Sequence, residues 1–253
     1  MKTAAIQMNI TWENREANYM RARTLCEQAS TAGAELIVLP EMFATGFSMD
    51  PSVTAEASDG PTPTFLGGLA CDIGVTVIGG YVEETEGGKG ANTALALGPD
   101  GNVLAKYVKT HLIAYLGEDT AHVAGDRPAS FTLAGANIAC FICYDLRFPE
   151  LFRLVAEDHH LVCVIASWPS ARQHHWDLLL QARAIENQLF VLGANRVGGG
   201  GGLEFLGGSA IIEPMGRTLA HGADQEGVVM ADIDPDEVKR VRSELPFLRD
   251  RRF

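Results

Sequence analysis

The sequence predicts an α/β protein built from two similar halves, in which one β-sheet packs against another and helices cover the outside. Strand-like and helix-like segments alternate from the N-terminus, and a second β-α-β-α-β run begins near residue 137. The chain has 253 residues, 47% of them hydrophobic, which is enough to bury a large core without disulfides or metals. We therefore expect one domain over residues 1–253.

The first half begins with a strand and an amphipathic helix. Apolar residues recur at helical spacing between residues 13 and 32, and Gly33 closes this predicted helix. The apolar run at residues 36–39 predicts a buried strand, and Gly98-Pro-Asp-Gly101 predicts the turn of a hairpin. The other predicted elements of this half are a strand at 4–8, a helix near 64–72, a strand at 75–79 and hairpin strands at 93–97 and 103–107.

The second half repeats this alternation. It is predicted to contain strands at 137–142, 161–165 and 190–194, helices from 148 and at 174–187, a hairpin of 209–213 with 218–220, and a strand at 228–233. The glycine run at residues 198–202 lacks the Gly-Lys-Ser/Thr ending of a phosphate-binding loop and does not open a helix. We interpret it as a mobile loop.

Charge and composition restrict the class of partner. The formal net charge of -12 argues against nucleic acid or an anionic membrane surface, because both would repel an acidic protein, so a small molecule is expected. The N-terminus becomes polar too early for a signal peptide, and no apolar run approaches the ~18 residues that span a bilayer. Five cysteines in mostly apolar surroundings predict reduced thiols, and with these features a cytoplasmic location.

A reactive cysteine is predicted at the end of a strand. An apolar β-run stops at Cys143 and is followed by a polar sequence that starts a helix near Phe148. The strand would hold Cys143 rigidly, while the helix beyond it would direct backbone N–H groups and the positive end of its dipole toward the sulfur and favour the thiolate. The alternative reading is that Cys143 is a small, buried core residue.

Two charged residues also follow strands. Glu41 comes after the buried run at 36–39, at the strand end where α/β folds have their active-site crevices, and it is a candidate general base. Lys109 leaves the hairpin strand at 103–107, and it could stabilise a developing oxyanion if it lies beside Cys143 and Glu41. Taken singly, either residue is more ordinary as a solvated surface side chain.

Cys140-Phe-Ile-Cys143 also has the Cys-x-x-Cys spacing of a dithiol oxidoreductase or of half a zinc site. Redox pairs of this kind begin a helix, whereas these cysteines lie in a predicted strand, where residues i and i+3 face opposite sides. No second cysteine pair completes a zinc site, and His174 and His175 are consecutive and need not face one ion. A thiol oxidoreductase is therefore the alternative from a different functional class.

Leu39-Pro-Glu41, Lys109-Thr-His-Leu112 and Cys143-Tyr-Asp-Leu-Arg-Phe-Pro-Glu150 resemble, in this order, the three signature blocks of the nitrilase, or carbon–nitrogen hydrolase, superfamily. Further similarity runs over nearly the whole chain. The resemblance implies a four-layer α-β-β-α sandwich that usually dimerises to eight layers. It also implies a Glu–Lys–Cys triad that acts on a small amide without a metal or an organic cofactor.

The same resemblance implies a role for each residue of the site. Cys143 is then the nucleophile, Glu41 is the base and acid, and Lys109 stabilises the oxyanion together with the backbone N–H of Tyr144. Glu118 matches the second glutamate, which positions the lysine and the substrate in this family. Residues in these roles would hydrolyse an amide through a thioester and release ammonia.

The residues after the nucleophile resemble those of the ω-amidase branch, which implies a dicarboxylic monoamide substrate such as 2-oxoglutaramate, 2-oxosuccinamate or succinamate. Arg147 and Arg172 are candidate anchors for the substrate carboxylate, because a guanidinium binds a carboxylate through two hydrogen bonds. A short-chain aliphatic amidase and an N-carbamoyl amidohydrolase are alternatives within the superfamily. The residues expected to line the pocket, by adjacency to the triad, are Phe43, Tyr144 and Trp168.

Overall fold

Two β-sheets stacked face to face form the centre of the molecule. The computed structural model describes residues 1–252. In chain order the strands are β1 (Lys2–Gln7), β2 (Leu36–Val38), β3 (Ala55–Glu56), β4 (Thr76–Glu84), β5 (Gly90–Leu97), β6 (Val103–Val108), β7 (Ser130–Leu133), β8 (Ala136–Ile142), β9 (Leu161–Ala166), β10 (Phe190–Asn195), β11 (Val197–Gly200), β12 (Leu203–Leu206), β13 (Ala210–Ile212), β14 (Thr218–His221) and β15 (Gly227–Asp232). The helices are α1 (Arg15–Thr31), α2 (Pro51–Thr54), α3 (Pro61–Ile73), α4 (Glu118–Ala121), α5 (Pro149–Val155), α6 (Gln173–Asn187) and α7 (Pro235–Glu244). Short 3-10 helices lie at Ala114–Leu116, Cys143–Arg147, Ser170–Arg172 and Phe247–Asp250.

The two sheets share an arrangement of parallel central strands. The first sheet has the order β15-β1-β2-β4-β5-β6, with β3 beside β4, and the second has the order β14-β13-β10-β9-β8-β7. Strands β1, β2 and β4 are parallel, as are β8, β9 and β10. The carboxyl ends of β2 and β9 meet at one edge, where the backbone N–H of Ser167 donates to the Glu41 carboxylate. Parallel strands place their ligand-binding crevices at this edge.

Apolar side chains fill the space between the sheets and the space beneath the helices. Ile78 of β4 and Phe141 of β8 belong to one buried cluster, which joins the two sheets. A second cluster packs α1 and α3 on the outer face of the first sheet. On the other side, Trp176 of α6 lies over Gly193 of β10. The predicted four-layer α-β-β-α sandwich is confirmed.

Helices α1 and α6 form where the apolar spacing predicts them. The Asn14 side chain accepts a hydrogen bond from the backbone N–H of Ala17 (3.1 Å) and so begins α1. Gly33, with a φ of +90°, follows the helix in a conformation that favours glycine. The observed helix spans residues 15–31 and α6 spans 173–187, against predictions of 13–32 and 174–187.

The glycine run at residues 198–202 is not a loop, and that prediction was wrong. Its first three glycines, residues 198–200, belong to β11, which pairs antiparallel with β12. The two residues that connect them, Gly201 and Gly202, have φ values of +59° and +77°, which glycine adopts without strain. Two adjacent glycines between short strands therefore make the tight turn of a hairpin.

Strand β15 belongs to the first sheet, although in the chain it follows the strands of the second half. β15 pairs antiparallel with β1, with Lys2 opposite Asp232, and so completes the first sheet. Helix α7 was not predicted, although Asp234 caps it by accepting from the backbone N–H of Asp236 (3.0 Å). None of the helices within residues 1–252 has the length and apolar character needed to cross a membrane.

Strand β4 passes so close to the end of β2 that residue 80 has no room for a side chain. A Cβ on Gly80 would lie 2.6 Å from the Met42 nitrogen and 2.8 Å from Glu41 Cα. We expect Gly80→Ala to lower the free energy of unfolding by about 1–3 kcal/mol, as other overpacking substitutions do. Gly68→Ala is the matched control, because nothing lies within 4 Å of its Cβ and alanine favours helix α3. Equal urea midpoints for the two variants would contradict this reading of the packing.

Candidate active site

A buried cluster of charges lies where the two sheets meet. Glu41 follows β2, Lys109 follows β6, and Glu118 begins α4. Their side chains are fully buried, and Lys109 Nζ lies 3.0 Å from Glu41 Oε1. The same Nζ lies 2.8 Å from Glu118 Oε1 and 3.0 Å from Oε2. The structure thus brings these three predicted residues together, with one ammonium between two carboxylates.

Neutral donors complete the hydrogen bonding of both carboxylates. The Asn92 side-chain amide donates to Glu41 Oε1 (2.8 Å) and to Glu118 Oε1 (3.1 Å). Backbone N–H groups supply the remaining oxygens, from Ser167 to Glu41 Oε2 (2.8 Å) and from Ile113 to Glu118 Oε2 (2.8 Å). Asn92 was not predicted as a site residue. A buried asparagine within the mostly apolar β5 was the available signal.

Lys109 and Glu118 hold each other in the ionised form. Burial alone would lower the pKa of Lys109, but attraction to Glu41 and Glu118 outweighs it and raises the pKa above its usual value. For Glu118, burial works toward a higher pKa, yet Lys109 and the hydrogen-bond donors lower the pKa well below its usual value. An ion pair between Lys109 and Glu118 is therefore the stable state of the site.

Cys143 stands at the sharp turn that ends β8. It is the first residue of a 3-10 helix and has a φ of +47°, a left-handed conformation that is uncommon for a residue with a side chain. Met42, which follows Glu41, has a φ of +46°. Strain of this kind costs about 1–3 kcal/mol per residue and is concentrated at functional sites.

The Cys143 thiol is neutral at rest, in contrast to the thiolate expected from the strand–helix junction. Burial and the carboxylates of Glu41 and Glu118 raise the pKa of Cys143 well above its usual value, and Lys109 opposes them only in part. The side chain is 3% exposed, so water does little to stabilise an anion there. A nearby base must therefore take the proton before the sulfur can act as a nucleophile.

Asp145 ties the cysteine turn to the lysine loop. Its buried carboxylate accepts from the Tyr107 hydroxyl (2.7 Å) and from the backbone N–H of Ile142 (3.1 Å). It also accepts from the backbone N–H of His111 (2.9 Å) and lies 2.8 Å from that ring's Nδ1. One side chain therefore fixes the end of β8 against the segment after β6. Sequence reasoning missed this role because nothing local identifies the partners of Asp145.

The 3-10 helix that begins at Cys143 also carries Tyr144 and Arg147, and aromatic rings surround the guanidinium. The Arg147 guanidinium carbon is 4.5 Å from the Trp168 ring centre and 5.8 Å from that of Tyr144. Within the described residues, its hydrogen bonding is limited to His175 Nδ1 (3.2 Å). Arg172 contacts Trp168 through its backbone, since its carbonyl accepts a hydrogen bond from the Trp168 indole N–H (2.8 Å). Of the two candidates, Arg147 is therefore the one whose side chain contacts Tyr144, the residue after the nucleophile.

Phe43 does not face the cluster, contrary to the expectation from its position. It is buried with Tyr19 and Phe65, at ring-centre distances of 6.2 and 6.1 Å, between the first sheet and its helices. The aromatic residue near the cluster is Phe47, whose ring centre lies 5.2 Å from Lys109 Nζ. The left-handed turn at Met42 changes the direction of the chain after Glu41, so adjacency in sequence was a poor guide.

The first cysteine of the Cys-x-x-Cys spacing, Cys140, belongs to the core. Cys140 lies within β8 opposite Cys163 of β9, and it is a buried free thiol like Cys143. Burial raises the pKa of Cys140 well above its usual value, as expected for an unreactive core thiol. No group of three or more metal-binding side chains occurs within residues 1–252.

The sequence and the fold both have close counterparts. The family model described as carbon-nitrogen hydrolase matches residues 2–243. The 2-oxoglutaramate amidase of Bacillus subtilis is 34% identical over 249 residues, covering 98% of this chain and 96% of that protein. Omega-amidase YafV of Escherichia coli K12 is 33% identical over 252 residues, covering 99% and 96%. A solved CN-hydrolase superfamily protein of Xanthomonas campestris has a TM-score of 0.92 at 32% identity and covers 100% of this chain and 97% of its own.

The family match includes the whole charged cluster and the turn that carries Cys143, since it extends from β1 into α7. The superfamily predicted from the three signature blocks is confirmed. Relatives named as amidases are similar over nearly their full length, which supports the same class of reaction. The chain therefore belongs to the carbon–nitrogen hydrolase, or nitrilase, superfamily and is an amide-cleaving hydrolase.

Proposed function

We propose that this enzyme is an ω-amidase, which removes ammonia from the terminal amide of a small dicarboxylic monoamide such as 2-oxoglutaramate or succinamate. The observation that carries the proposal is the environment of the Arg147 guanidinium, on the 3-10 helix that begins with the nucleophile. Its carbon lies over the rings of Trp168 and Tyr144, and it pairs with no carboxylate within the described residues. A guanidinium that contacts aromatic rings through its carbon still has N–H groups available for a substrate carboxylate.

The names of two relatives support the same substrate class. They are a 2-oxoglutaramate amidase and an omega-amidase, each about one-third identical to this chain. Substrates of this class carry a carboxylate at the end opposite the amide. An enzyme that binds them needs a cation at a distance from the cysteine set by the length of the substrate. Arg147, four residues after Cys143, is our candidate for this cation, and Arg172 remains the second candidate.

The first half-reaction transfers the acyl group to sulfur. Glu41 takes the Cys143 thiol proton as the sulfur attacks the amide carbon. The carbonyl oxygen becomes an oxyanion, which accepts hydrogen bonds from Lys109 and from the backbone N–H of Tyr144. The tetrahedral intermediate collapses, the C–N bond breaks, and Glu41 gives its proton to the departing nitrogen. Ammonia leaves, and the acyl group remains on Cys143 as a thioester.

The second half-reaction uses the same residues, with water as the nucleophile and the Cys143 sulfur as the leaving group. A water molecule takes the place of ammonia. Glu41 accepts a proton from this water as the water oxygen attacks the thioester carbon. Lys109 and the Tyr144 N–H bind the second oxyanion as they bound the first. The C–S bond then breaks, the proton returns to sulfur, and the carboxylic acid product is released. No metal or organic cofactor takes part in this scheme.

The nucleophile assignment predicts that only one of the two neighbouring cysteines is required. Cys143→Ala should abolish ammonia release, whereas Cys140→Ala should retain most of it while losing about 1 kcal/mol of stability, because Cys140 is a core residue. Glu41→Gln should lower kcat by ~10²–10⁴-fold, since proton transfer is lost in both half-reactions. Hydroxylamine should intercept the thioester of the wild type and give a hydroxamate. Equal loss of activity in the Cys143→Ala and Cys140→Ala variants would contradict the triad assignment.

The substrate assignment predicts a selective effect at Arg147. Arg147→Leu should raise KM for succinamate by about 10–100-fold, the expected effect of losing hydrogen bonds to a charged group, and should change KM for butyramide little. Arg172→Leu is the matched control and should have the smaller effect. If wild type prefers butyramide to succinamate, the enzyme is a general aliphatic amidase. If Arg172→Leu has the larger effect, the carboxylate anchor is the other arginine.

We further propose that residues 1–253 act as one domain, in the cytoplasm, and as a homodimer. The five cysteines are all free thiols, which suits a reducing compartment. The dimer proposal is supported by large apolar side chains on the outer layer of the second half. Leu154 of α5 is 73% exposed, and Leu178 and Ile185, one face of α6, are 51% and 46% exposed. A second copy packed on this face would extend four layers to eight.

The dimer proposal predicts that charge on this face separates the subunits. Leu154→Glu combined with Leu178→Glu should shift the mass measured by light scattering from that of two chains to that of one, because buried charges oppose apolar contact. Met20→Glu on α1 is the control, since Met20 is 63% exposed on the opposite layer. A wild-type protein that is monomeric at micromolar concentration would contradict the proposal.

A further inference from the structure

A histidine that the reaction scheme does not use is buried directly behind the charged cluster. His122 follows helix α4 and is 1% exposed. Neither ring nitrogen has a hydrogen-bond partner within the part of the chain described here, residues 1–252. Buried polar atoms are normally satisfied, because a lost hydrogen bond to water destabilises the folded protein. An unsatisfied imidazole at this position therefore requires an explanation.

A carboxylate of the cluster lies close to the imidazole. His122 Nδ1 lies 3.8 Å from Glu118 Oε1, one helical turn away. This separation is too long for a hydrogen bond but needs only about 1 Å of movement to become one. The other side of the ring is in contact with the main chain at Gly90, where a Cβ would lie 2.9 Å from the ring carbon Cδ2. The ring is therefore held in place beside Glu118.

The hydrogen bonds of Lys109 show why Glu118 needs another donor. An ammonium has three N–H groups, and in the resting site all three are within hydrogen-bond distance of carboxylates, one at Glu41 and two at Glu118. When Lys109 donates to an oxyanion, it must release one of these contacts. Releasing one bond to Glu118 is the smallest change, since each carboxylate then keeps one bond to Lys109. Of the two Glu118 oxygens, Oε1 is the one 3.8 Å from His122 Nδ1, so its release is the one that a movement of His122 can offset. Of its side-chain donors, Oε1 would retain only Asn92 at 3.1 Å.

We propose that His122 is a positioning residue that donates a hydrogen bond from Nδ1 to Glu118 Oε1 when Lys109 turns toward the oxyanion. The inference rests on the proposed function and deepens it. A neutral imidazole with its proton on Nδ1 is sufficient, so no change in the charge of His122 is required. The new bond would keep Glu118 fully hydrogen-bonded in the transition state. His122 itself touches no reacting atom.

Three substitutions separate donation from packing. Asparagine places an amide N–H the same number of bonds from Cα as Nδ1 and can replace the proposed donor. Glutamine places its amide where Nε2 stands, on the side away from Glu118. Phenylalanine retains the ring shape but has no donor. Even if His122→Phe does not fold, His122→Asn and His122→Gln remain a matched polar pair.

The first measurement is steady-state hydrolysis of succinamate. A hydrogen bond needed only in the transition state affects kcat and leaves KM nearly unchanged. We expect His122→Phe and His122→Gln to lower kcat by about 10–100-fold, the range for a hydrogen bond to a charged group. His122→Asn should remain within about threefold of wild type. Similar melting temperatures for His122→Asn and His122→Gln will exclude an effect of stability.

The second measurement does not depend on turnover. Succinic semialdehyde, the aldehyde analogue of succinamate, should add to Cys143: the S–C bond forms, the carbonyl π electrons move to oxygen, and the thiol proton passes to Glu41. The product has an oxyanion at the position where Lys109 must donate. Calorimetry should give a Kd weaker by about tenfold or more in His122→Phe and His122→Gln than in wild type and His122→Asn. Cys143→Ala provides the baseline without covalent addition.

The outcomes separate the two proposals. If wild type hydrolyses succinamate or binds the aldehyde, but the three His122 variants all match it, the role of His122 is wrong and the ω-amidase proposal stands. The role is also wrong if His122→Asn loses as much kcat and affinity as His122→Gln, because a donor at the position of Nδ1 then has no advantage over one at the position of Nε2. A wild type that neither cleaves amides nor binds the aldehyde overturns the proposed function, and the role of His122 with it.

Discussion

The Lys109 ammonium, buried between Glu41 and Glu118, is the interaction on which the rest of the site depends. Two segments that are far apart in the chain, the end of β2 and residues 109–118, meet at this one cation, and each carboxylate would be an unpaired buried charge without it. Asn92 and two backbone N–H groups then satisfy the oxygens that Lys109 leaves. The cluster carries one excess negative charge. That charge determines how the neighbouring thiol can react.

Because the cluster is already negative, a thiolate at Cys143 would be a third anion around one cation. The protein therefore keeps the sulfur protonated and places a carboxylate beside it that can accept the proton at the moment of attack. The left-handed turns at Cys143 and Met42 bring sulfur and base to this position, and Asp145 holds the cysteine turn against the lysine loop. The strain of these turns is offset by the packing and hydrogen bonds around them.

Local pattern was enough to predict most of the architecture. Apolar spacing gave the limits of α1 to within two residues and those of α6 to within one, because a helix face and a buried strand each have a period that is visible in the chain. The ends of strands also identified Glu41, Lys109 and Cys143 as candidates, since α/β folds place ligands at those ends. The three signature blocks then gave the superfamily. The strand period could not assign β15 to its sheet, because pairing with β1 joins opposite ends of the chain.

The sequence by itself therefore determined the layers, the superfamily and the residues able to do the chemistry. Only the tertiary structure decided which side chains meet. It placed Phe47, and not Phe43, beside Lys109. It also favoured Arg147 over Arg172, and brought Asn92 and His122 to the carboxylates. The physical reason is that periodicity reports which face of an element is buried, whereas a hydrogen bond depends on distances of a few tenths of an ångström between segments remote in the chain.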